Sequence, residues 1–159
     1  MGLLIKHILV ILHIITAAAW FGLGLRLSGQ ARTVASLTGE AQRSLADATG
    51  RLVSLMNVFV VLTLVFSIGA FIAGGHFAAY GPAYHSAVTL ILVLVGVQLF
   101  VIRTGWNKLA AFVDGSGDVD AGESGRKRVA IGTGIGHTLW LVLLVLMFWN
   151  RILAALQTL

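Results

Sequence analysis

The sequence contains no cysteine, a single proline and few charges, because only 11% of its 159 residues are charged whereas 58% are hydrophobic. Without thiols the chain can form no disulfide and offers no thiolate ligand. A metal would therefore have to be bound by His, Met, carboxylate or backbone oxygen. So little charge in so apolar a chain excludes an ordinary soluble domain. The composition predicts an integral membrane protein surrounded by lipid.

Four uncharged apolar stretches are each long enough to cross a hydrocarbon core of ~30 Å at a rise of ~1.5 Å per residue. They run from His7 to Leu25, Leu52 to Gly75, Ser86 to Ile102 and Val129 to Asn150. With their flanks, we predict helices at about 3–26, 52–75, 85–104 and 128–152. The sequence therefore predicts one all-α domain over residues 1–159, a bundle of four transmembrane helices.

The two longer connections differ in composition. Residues 28–51 are rich in Ala, Gln, Glu and Arg, so we expect the first two helices to project beyond the lipid and to turn near Gly39. The stretch "DGSGDVDAGESG" at 114–125 is rich in Gly and Asp, and we predict a flexible linker there.

The basic residues are distributed unevenly, and this argues for membrane topology rather than for nucleic-acid binding as the meaning of the +5 net charge. Nine of the eleven lie between the first two or the last two spans: Arg26, Arg32, Arg43, Arg51, Arg103, Lys108, Arg126, Lys127 and Arg128. By the positive-inside rule, both termini lie outside (N-out, C-out). We expect a multi-pass protein of a bacterial-type cytoplasmic membrane.

Two histidines lie at mid-depth in the predicted spans. At ~1.5 Å per residue, His13 is about 20 Å from Arg26 along the first helix, and His137 is about 14 Å from Arg128 along the last. Ionisable side chains in the membrane interior are costly, so they usually face the bundle and have a partner. We predict that His13 and His137 are the axial ligands of a b-type haem iron.

Aromatic and small residues accompany both histidines. Trp20 follows His13 by seven residues, Trp140 follows His137 by three, and Gly134 lies in the preceding "GTGIG". These residues would flank the macrocycle of a bound haem. The alternative is structural: each His hydrogen-bonds a neighbouring helix, for instance at Thr63, Ser67 or Gln98.

A second group of histidines, His7, His76 and His85, falls at the outer boundary of the predicted spans. Imidazole ligands suit copper or zinc, so these three could form an outer metal site or clamp the propionates of a cofactor. Alternatively, they belong to the wet headgroup layer together with the ordinary aromatic belt.

Three stretches carry a family resemblance: "KHILVILHIITAAAWFGLGLRL", "GRLVSLMNVFVVLTLVFSIG" and "YHSAVTLILVLVGVQLF". In order and spacing they resemble the first three helices of bacterial HemJ-type protoporphyrinogen oxidases and of the related copper-resistance D membrane domains. The likeness covers about residues 6 to 110 and rests on His13, Trp20, Gly22, Arg26 and His85.

The resemblance implies a four-helix membrane fold that can hold b haem, with His13 at the position of the haem-associated His and Arg26 at the inner end of the first helix. Two residues after His85, where the oxidases have a lysine, this chain has Ala87. We therefore expect a relative whose role is not protoporphyrinogen oxidation.

Three functional hypotheses follow. The first is a b-type cytochrome-like protein, possessing an oxidoreductase role, that passes electrons between a membrane donor such as a quinol and an external acceptor. The second is copper handling or transport through the outer histidines. The third is a non-catalytic accessory subunit of a larger membrane complex; association into a homo-oligomer is a further expectation, compatible with each of the three. Because every carboxylate lies outside the spans, hydrolytic chemistry is not expected.

Overall fold

The computed structural model describes residues 2–75 and 81–158, and within these ranges it contains helices and no strand. The elements are α1 (Gly2–Ser36), α2 (Gly39–Ala73), α3 (Pro82–Gly96), a π-helical segment (Val97–Ile102), α4 (Arg103–Val113) and α5 (Val119–Leu156). Because α3, the π-helical segment and α4 are continuous, the described residues form four helices long and apolar enough to cross a membrane. The predicted all-α four-helix bundle is confirmed, and the chain is a multi-pass membrane protein.

The first two spans form a long antiparallel hairpin. Each helix has 35 residues and is about 50 Å long, well beyond a hydrocarbon core of ~30 Å. The turn at residues 37–38 is followed by Gly39 at a φ of +67°, a backbone conformation that favours glycine. The predicted turn near Gly39 is therefore confirmed, and both helices are longer than a membrane crossing requires. We refer to this end of the bundle, where the nine basic residues lie, as the basic end.

Buried residues of α2 recur at alternating intervals of three and four: Ala46, Thr49, Val53, Met56, Val60 and Thr63. Those of α1 follow the same rule from Trp20 to Val34. This spacing is the one that packs two helices in a shallow left-handed crossing. In the structure, the buried residues along the seam between α1 and α2 therefore follow a heptad-like spacing.

The predicted flexible linker is only partly a loop, because α5 begins at Val119 rather than near residue 128. The Asp118 carboxylate accepts a hydrogen bond from the Ala121 backbone N–H at 2.6 Å and so caps the helix. One to two turns later, Glu123 pairs with Arg126 at 3.0 Å and Lys127 at 3.1 Å. The expectation of flexibility over 114–125 was wrong for its second half, because capping and charge pairing outweigh the low helix propensity of its glycines.

Glycines of α5 let α4 approach it closely. A Cβ on Gly125 would lie 2.6 Å from the carbonyl oxygen of Gly105, and one on Gly132 would lie 2.7 Å from a side-chain carbon of Ile102. Such close approach through small residues is typical of helix pairs in membranes, where close van der Waals packing drives association. Four glycines of α5, Gly122, Gly125, Gly132 and Gly136, therefore serve helix–helix packing, whereas Gly134 faces outward.

The sealed core occupies the half of the bundle nearer the basic end. It contains Trp20, Leu27, Met56, Ile102, Leu109 and Val129, among others. In the opposite half (residues 2–19, 61–75, 81–93 and 137–158), only four described side chains are buried: Thr16, Thr63, Ala70 and Ile91. In this open half the helices carry many exposed apolar side chains, as contact with lipid requires, but they do not enclose a tight core.

Candidate functional site

His137 lies in an aromatic cluster between α1 and α5. Its ring meets Trp20 edge-on with centroids 6.1 Å apart and lies 4.8 Å from the Phe21 ring. Phe21 in turn stacks on Trp140 at 4.3 Å. Of the two aromatics predicted to flank a macrocycle, Trp20 thus packs against His137, and Trp140 joins the same cluster through Phe21.

The Nε2 atom of the His137 ring lies against the backbone of α1. A Cβ on Gly24 would lie 2.7 Å from His137 Nε2 and 3.2 Å from the terminal methyl of Met56. Nε2 is buried and makes no hydrogen bond of normal geometry, although the Phe21 carbonyl interacts with the ring. The ring therefore fills a notch that glycine leaves in α1, with no open space in front of Nε2.

A hydrogen-bonded polar network crosses three helices next to this cluster. Gln98 is fully buried, its Oε1 accepts from the Trp20 indole N–H at 3.0 Å, and its Nε2 donates to Asn57 Oδ1 at 2.8 Å. An indole can only donate, so Gln98 must present its oxygen to Trp20, which leaves its amide N–H groups for Asn57. The network ties α1 and α2 to the third span.

The π-helical segment positions Gln98. The Arg103 backbone N–H donates to the Gln98 carbonyl, five residues back, which is the π-helical pattern. One such widened turn rotates the residues that follow it relative to a regular α-helix. In this span the irregular turn coincides with the fully buried glutamine.

Replacing Gln98 with leucine should destabilise the bundle, because it leaves the Trp20 N–H and the Asn57 side chain without their partner. Stranding a buried polar group costs about 1 to 3 kcal/mol. We expect a lower midpoint in denaturant titration of the detergent-solubilised protein. Gln157→Leu, at an exposed position near the end of α5, is the matched control. Equal stability of the two variants would contradict a structural role for the network.

His13 is held by α2 in a defined orientation. Its Nδ1 lies 3.1 Å from the backbone oxygen of Thr63, whose hydroxyl donates to Thr16 Oγ at 3.0 Å or to the Phe59 carbonyl at 2.7 Å. A carbonyl only accepts, so Nδ1 carries the proton and the lone pair of the neutral ring is on Nε2. The alternative expectation of a hydrogen bond to Thr63 describes this contact, which is made through the backbone oxygen.

The structure does not bring His13 and His137 together. The residues of α1 that contact His137 are Trp20, Phe21 and Gly24, which lie 7 to 11 residues beyond His13. This is a separation of about 10 to 16 Å along the helix axis. With metal–imidazole bonds of about 2 Å, two ligands of one iron have their nitrogens only ~4 Å apart. In this packing the two rings do not face each other as ligands of a single haem iron.

Two further residues predicted for the cofactor site lie on the outside. Gly134 is exposed, and a Cβ there would meet nothing within 4 Å. Arg26 is also exposed, and within the described ranges it has no ion pair. Neither residue joins the His13 contact or the cluster around His137.

The outer histidines do not form a cluster in the described part of the chain. His7 is exposed and its Nδ1 donates to the Leu3 carbonyl of its own helix at 2.8 Å. His85 is exposed and packs edge-on against Phe71 with ring centroids 6.3 Å apart. His76 lies outside the described residues. Among residues 2–75 and 81–158, no group of three or more His, Cys, Asp or Glu side chains could hold a metal ion.

Sequence reasoning missed Phe21, Asn57 and the connecting role of Gln98. Gln98 and Asn57 are uncharged polar residues within long apolar runs, and that signal alone could have marked both as interior positions. Phe21 could not be singled out, because in a membrane helix an aromatic residue facing lipid and one facing the bundle look the same.

Comparison with known proteins assigns no relative to this architecture. No protein-family model matches the chain, and neither a curated protein nor a solved structure matches it.

Proposed function

We propose that this membrane protein binds b-type haem in the open half of its bundle, with His13 as an axial ligand, and that it has an electron-transfer role in a bacterial-type cytoplasmic membrane. The observation that carries the proposal is the hydrogen bond between His13 Nδ1 and the Thr63 carbonyl. The resemblance of the first helix to haem-associated helices of the HemJ-type and copper-resistance D families supports the same residue.

The hydrogen bond prepares His13 for ligation. Histidines that bind metals almost always donate their second ring N–H to a carboxylate, backbone carbonyl or water, which fixes the ring orientation and raises the basicity of the ligating nitrogen. His13 has this arrangement, since Thr63 holds Nδ1 and the lone pair remains on Nε2. Thr16 links the hydroxyl of Thr63 back to α1 and steadies the pair.

The open half of the bundle is a suitable place for a flat tetrapyrrole. Cofactor sites in helix bundles are built between facing helices from inward-pointing side chains. Around and beyond His13 the described helices bury only Thr16, Thr63, Ala70 and Ile91, so a ligand could enter there without displacing a sealed core. When bound, haem would supply one-electron chemistry that no side chain of this cysteine-free chain provides.

His137 has a different part in this proposal. Its Nε2 abuts the backbone of α1 at Gly24, so we assign it to packing of the aromatic cluster rather than to iron. The residue that would hold haem is therefore His13, oriented by the Thr63 carbonyl.

The test is the absorption spectrum of the protein purified in mild detergent after expression with ample haem supply. We expect a Soret band and a reduced-minus-oxidised difference spectrum typical of b-type haem. A well-folded, monodisperse preparation that lacks both would overturn the proposal and would favour an accessory, non-catalytic role. Copper measured by elemental analysis in such a colourless preparation would instead favour metal handling.

A further inference from the structure

An open groove of ≈ 680 Å³ lies between α2 and α4 at the basic end, away from His13 and His137. It is lined by Asp47, Arg51 and Ser54 from α2, by Asp114 just after α4 and, further along α2, by the exposed apolar side chains of Leu55 and Val58. The groove thus combines two acidic groups, one basic group and an apolar surface in one continuous concavity.

The floor of the groove is built by a glycine and a tryptophan. Trp106 is only 5% exposed, and its indole nitrogen lies 3.3 Å from where a Cβ on Gly50 would stand. A larger residue at position 50 would push the indole aside. The absence of a side chain there lets the groove run unbroken from its charged rim to its apolar end.

The charges of the rim are available to a ligand. Among the described residues, Asp47, Arg51 and Asp114 make no ion pair within 4.0 Å, unlike Glu123, which pairs with Arg126 and Lys127. All three are exposed. Their formal sum is −1, from two carboxylates and one guanidinium.

The order of these groups along the membrane normal matches the order of groups in one class of lipid. Asp47 precedes Arg51 by four residues, about 6 Å along α2, and Val58 lies about 10 Å beyond Arg51, toward the lipid interior. From water to oil, the groove therefore presents carboxylates, then guanidinium and hydroxyl, then aliphatic side chains. A zwitterionic phospholipid presents an ammonium, then a phosphate, then acyl chains.

We propose that this groove binds a zwitterionic aminophospholipid, with its ammonium at Asp47 and Asp114, its phosphate at Arg51 and Ser54, and an acyl chain along Leu55 and Val58. Charge-assisted hydrogen bonds of this kind are the stronger ones, and Arg matches phosphate in a bidentate geometry. A purely anionic headgroup would find one positive group against two negative ones, so the net charge of the rim disfavours it.

The experiment is native mass spectrometry of the purified protein with defined phospholipids: phosphatidylethanolamine, phosphatidylcholine and phosphatidylglycerol. We expect phosphatidylethanolamine adducts to persist at the highest activation energy. Phosphatidylcholine should be weaker because its quaternary ammonium has no N–H to donate, and phosphatidylglycerol weaker because it lacks the cation. A preference of the unaltered protein for phosphatidylglycerol would overturn the proposal.

Variants locate the binding. Arg51→Gln should reduce retention of phosphatidylethanolamine by about tenfold, the effect of losing one charge-assisted contact. The double variant Asp47→Asn with Asp114→Asn should shift the preference toward phosphatidylglycerol. Arg32→Gln and Asp120→Asn remove one exposed charge of each sign at the same end, outside the groove, and should change nothing. Equal retention by groove and control variants would place the lipid elsewhere and contradict the proposal. The retention of phospholipid is measured independently of haem content, so this experiment does not depend on the proposed haem binding.

Discussion

His13→Ala should abolish haem binding in the purified protein, whereas His137→Ala should leave it in place. We expect His13→Ala to lower the haem content per chain by at least about tenfold. Even mutation of a residue that only hydrogen-bonds a ligating histidine typically lowers metal affinity about 10- to 100-fold. The physical reason is the difference between the two rings. The Thr63 carbonyl orients His13 through Nδ1 and leaves the lone pair of Nε2 available to a metal. In contrast, Nε2 of His137 faces the backbone of Gly24.

The measurement is haem per folded chain, determined from the pyridine haemochrome spectrum of the main size-exclusion peak. His137→Ala is the matched control, because it removes the same side chain from another apolar helix. It should also lower stability, since the ring contacts Trp20 and Phe21. Normalising to folded protein separates this packing effect from ligation.

Imidazole rescue adds a readout that a merely structural role of His13 would not move. Free imidazole added to His13→Gly should restore the Soret band, because it can occupy the volume and the ligand position of the missing ring. Loss of haem in both His13→Ala and His137→Ala would instead support paired ligation by the two histidines and contradict the separation described here. Loss only in His137→Ala would move the site to the aromatic cluster.

Gly125→Leu should prevent α4 and α5 from packing. A Cβ at position 125 would lie 2.6 Å from the Gly105 carbonyl oxygen and 2.7 Å from the Leu109 backbone nitrogen. Backbone atoms cannot rotate away as side chains do, so the two helices must separate. Overpacking typically costs about 1 to 3 kcal/mol, and a leucine against backbone should reach at least the top of that range.

The smaller change Gly125→Ala has two opposing effects on the stability of the bundle, a gain in helix propensity and a steric clash. Alanine gains up to about 1 kcal/mol over glycine in helix propensity, whereas the clash costs about 1 to 3 kcal/mol, so a net loss is expected. Gly134→Ala and Gly134→Leu are the controls, because a Cβ there meets nothing within 4 Å. Denaturant titration in detergent should rank Gly134→Ala as equal to or more stable than the original protein. A Gly125→Ala variant as stable as Gly134→Ala would disprove the close approach of α4 and α5.

Much of the architecture could be predicted from the sequence, because lipid acts on each helix separately. A span must be apolar and about 20 residues long to cross the bilayer core, whatever its neighbours are. The four spans, the long helical hairpin and its turn near Gly39 followed from that rule and from local composition. The start of α5 at Val119 did not, because a capping carboxylate and one ion-paired glutamate decide it against the local glycine content.

The site could be predicted less completely from the sequence, because the hydrophobic pattern of a membrane helix does not show which of its faces points into the bundle. Apolar side chains suit both lipid and core, so depth along the helix can be counted from the sequence but rotation about its axis cannot. Depth marked His13 and His137 as interior histidines. Their partners required the packed structure: the Thr63 carbonyl for one, and the notch at Gly24 for the other.

By itself, therefore, the sequence determined that the chain crosses a membrane four times, where its basic end lies and which polar groups lie within the apolar spans. Only the tertiary structure decided that α1 meets His137 at Trp20, Phe21 and Gly24 rather than at His13, that Gln98 joins Trp20 to Asn57, and that the core is closely packed at the basic end and open opposite. The reason is that these features depend on how four helices are rotated and shifted against one another. A few glycine contacts and hydrogen bonds between helices set that arrangement, and no single segment encodes it.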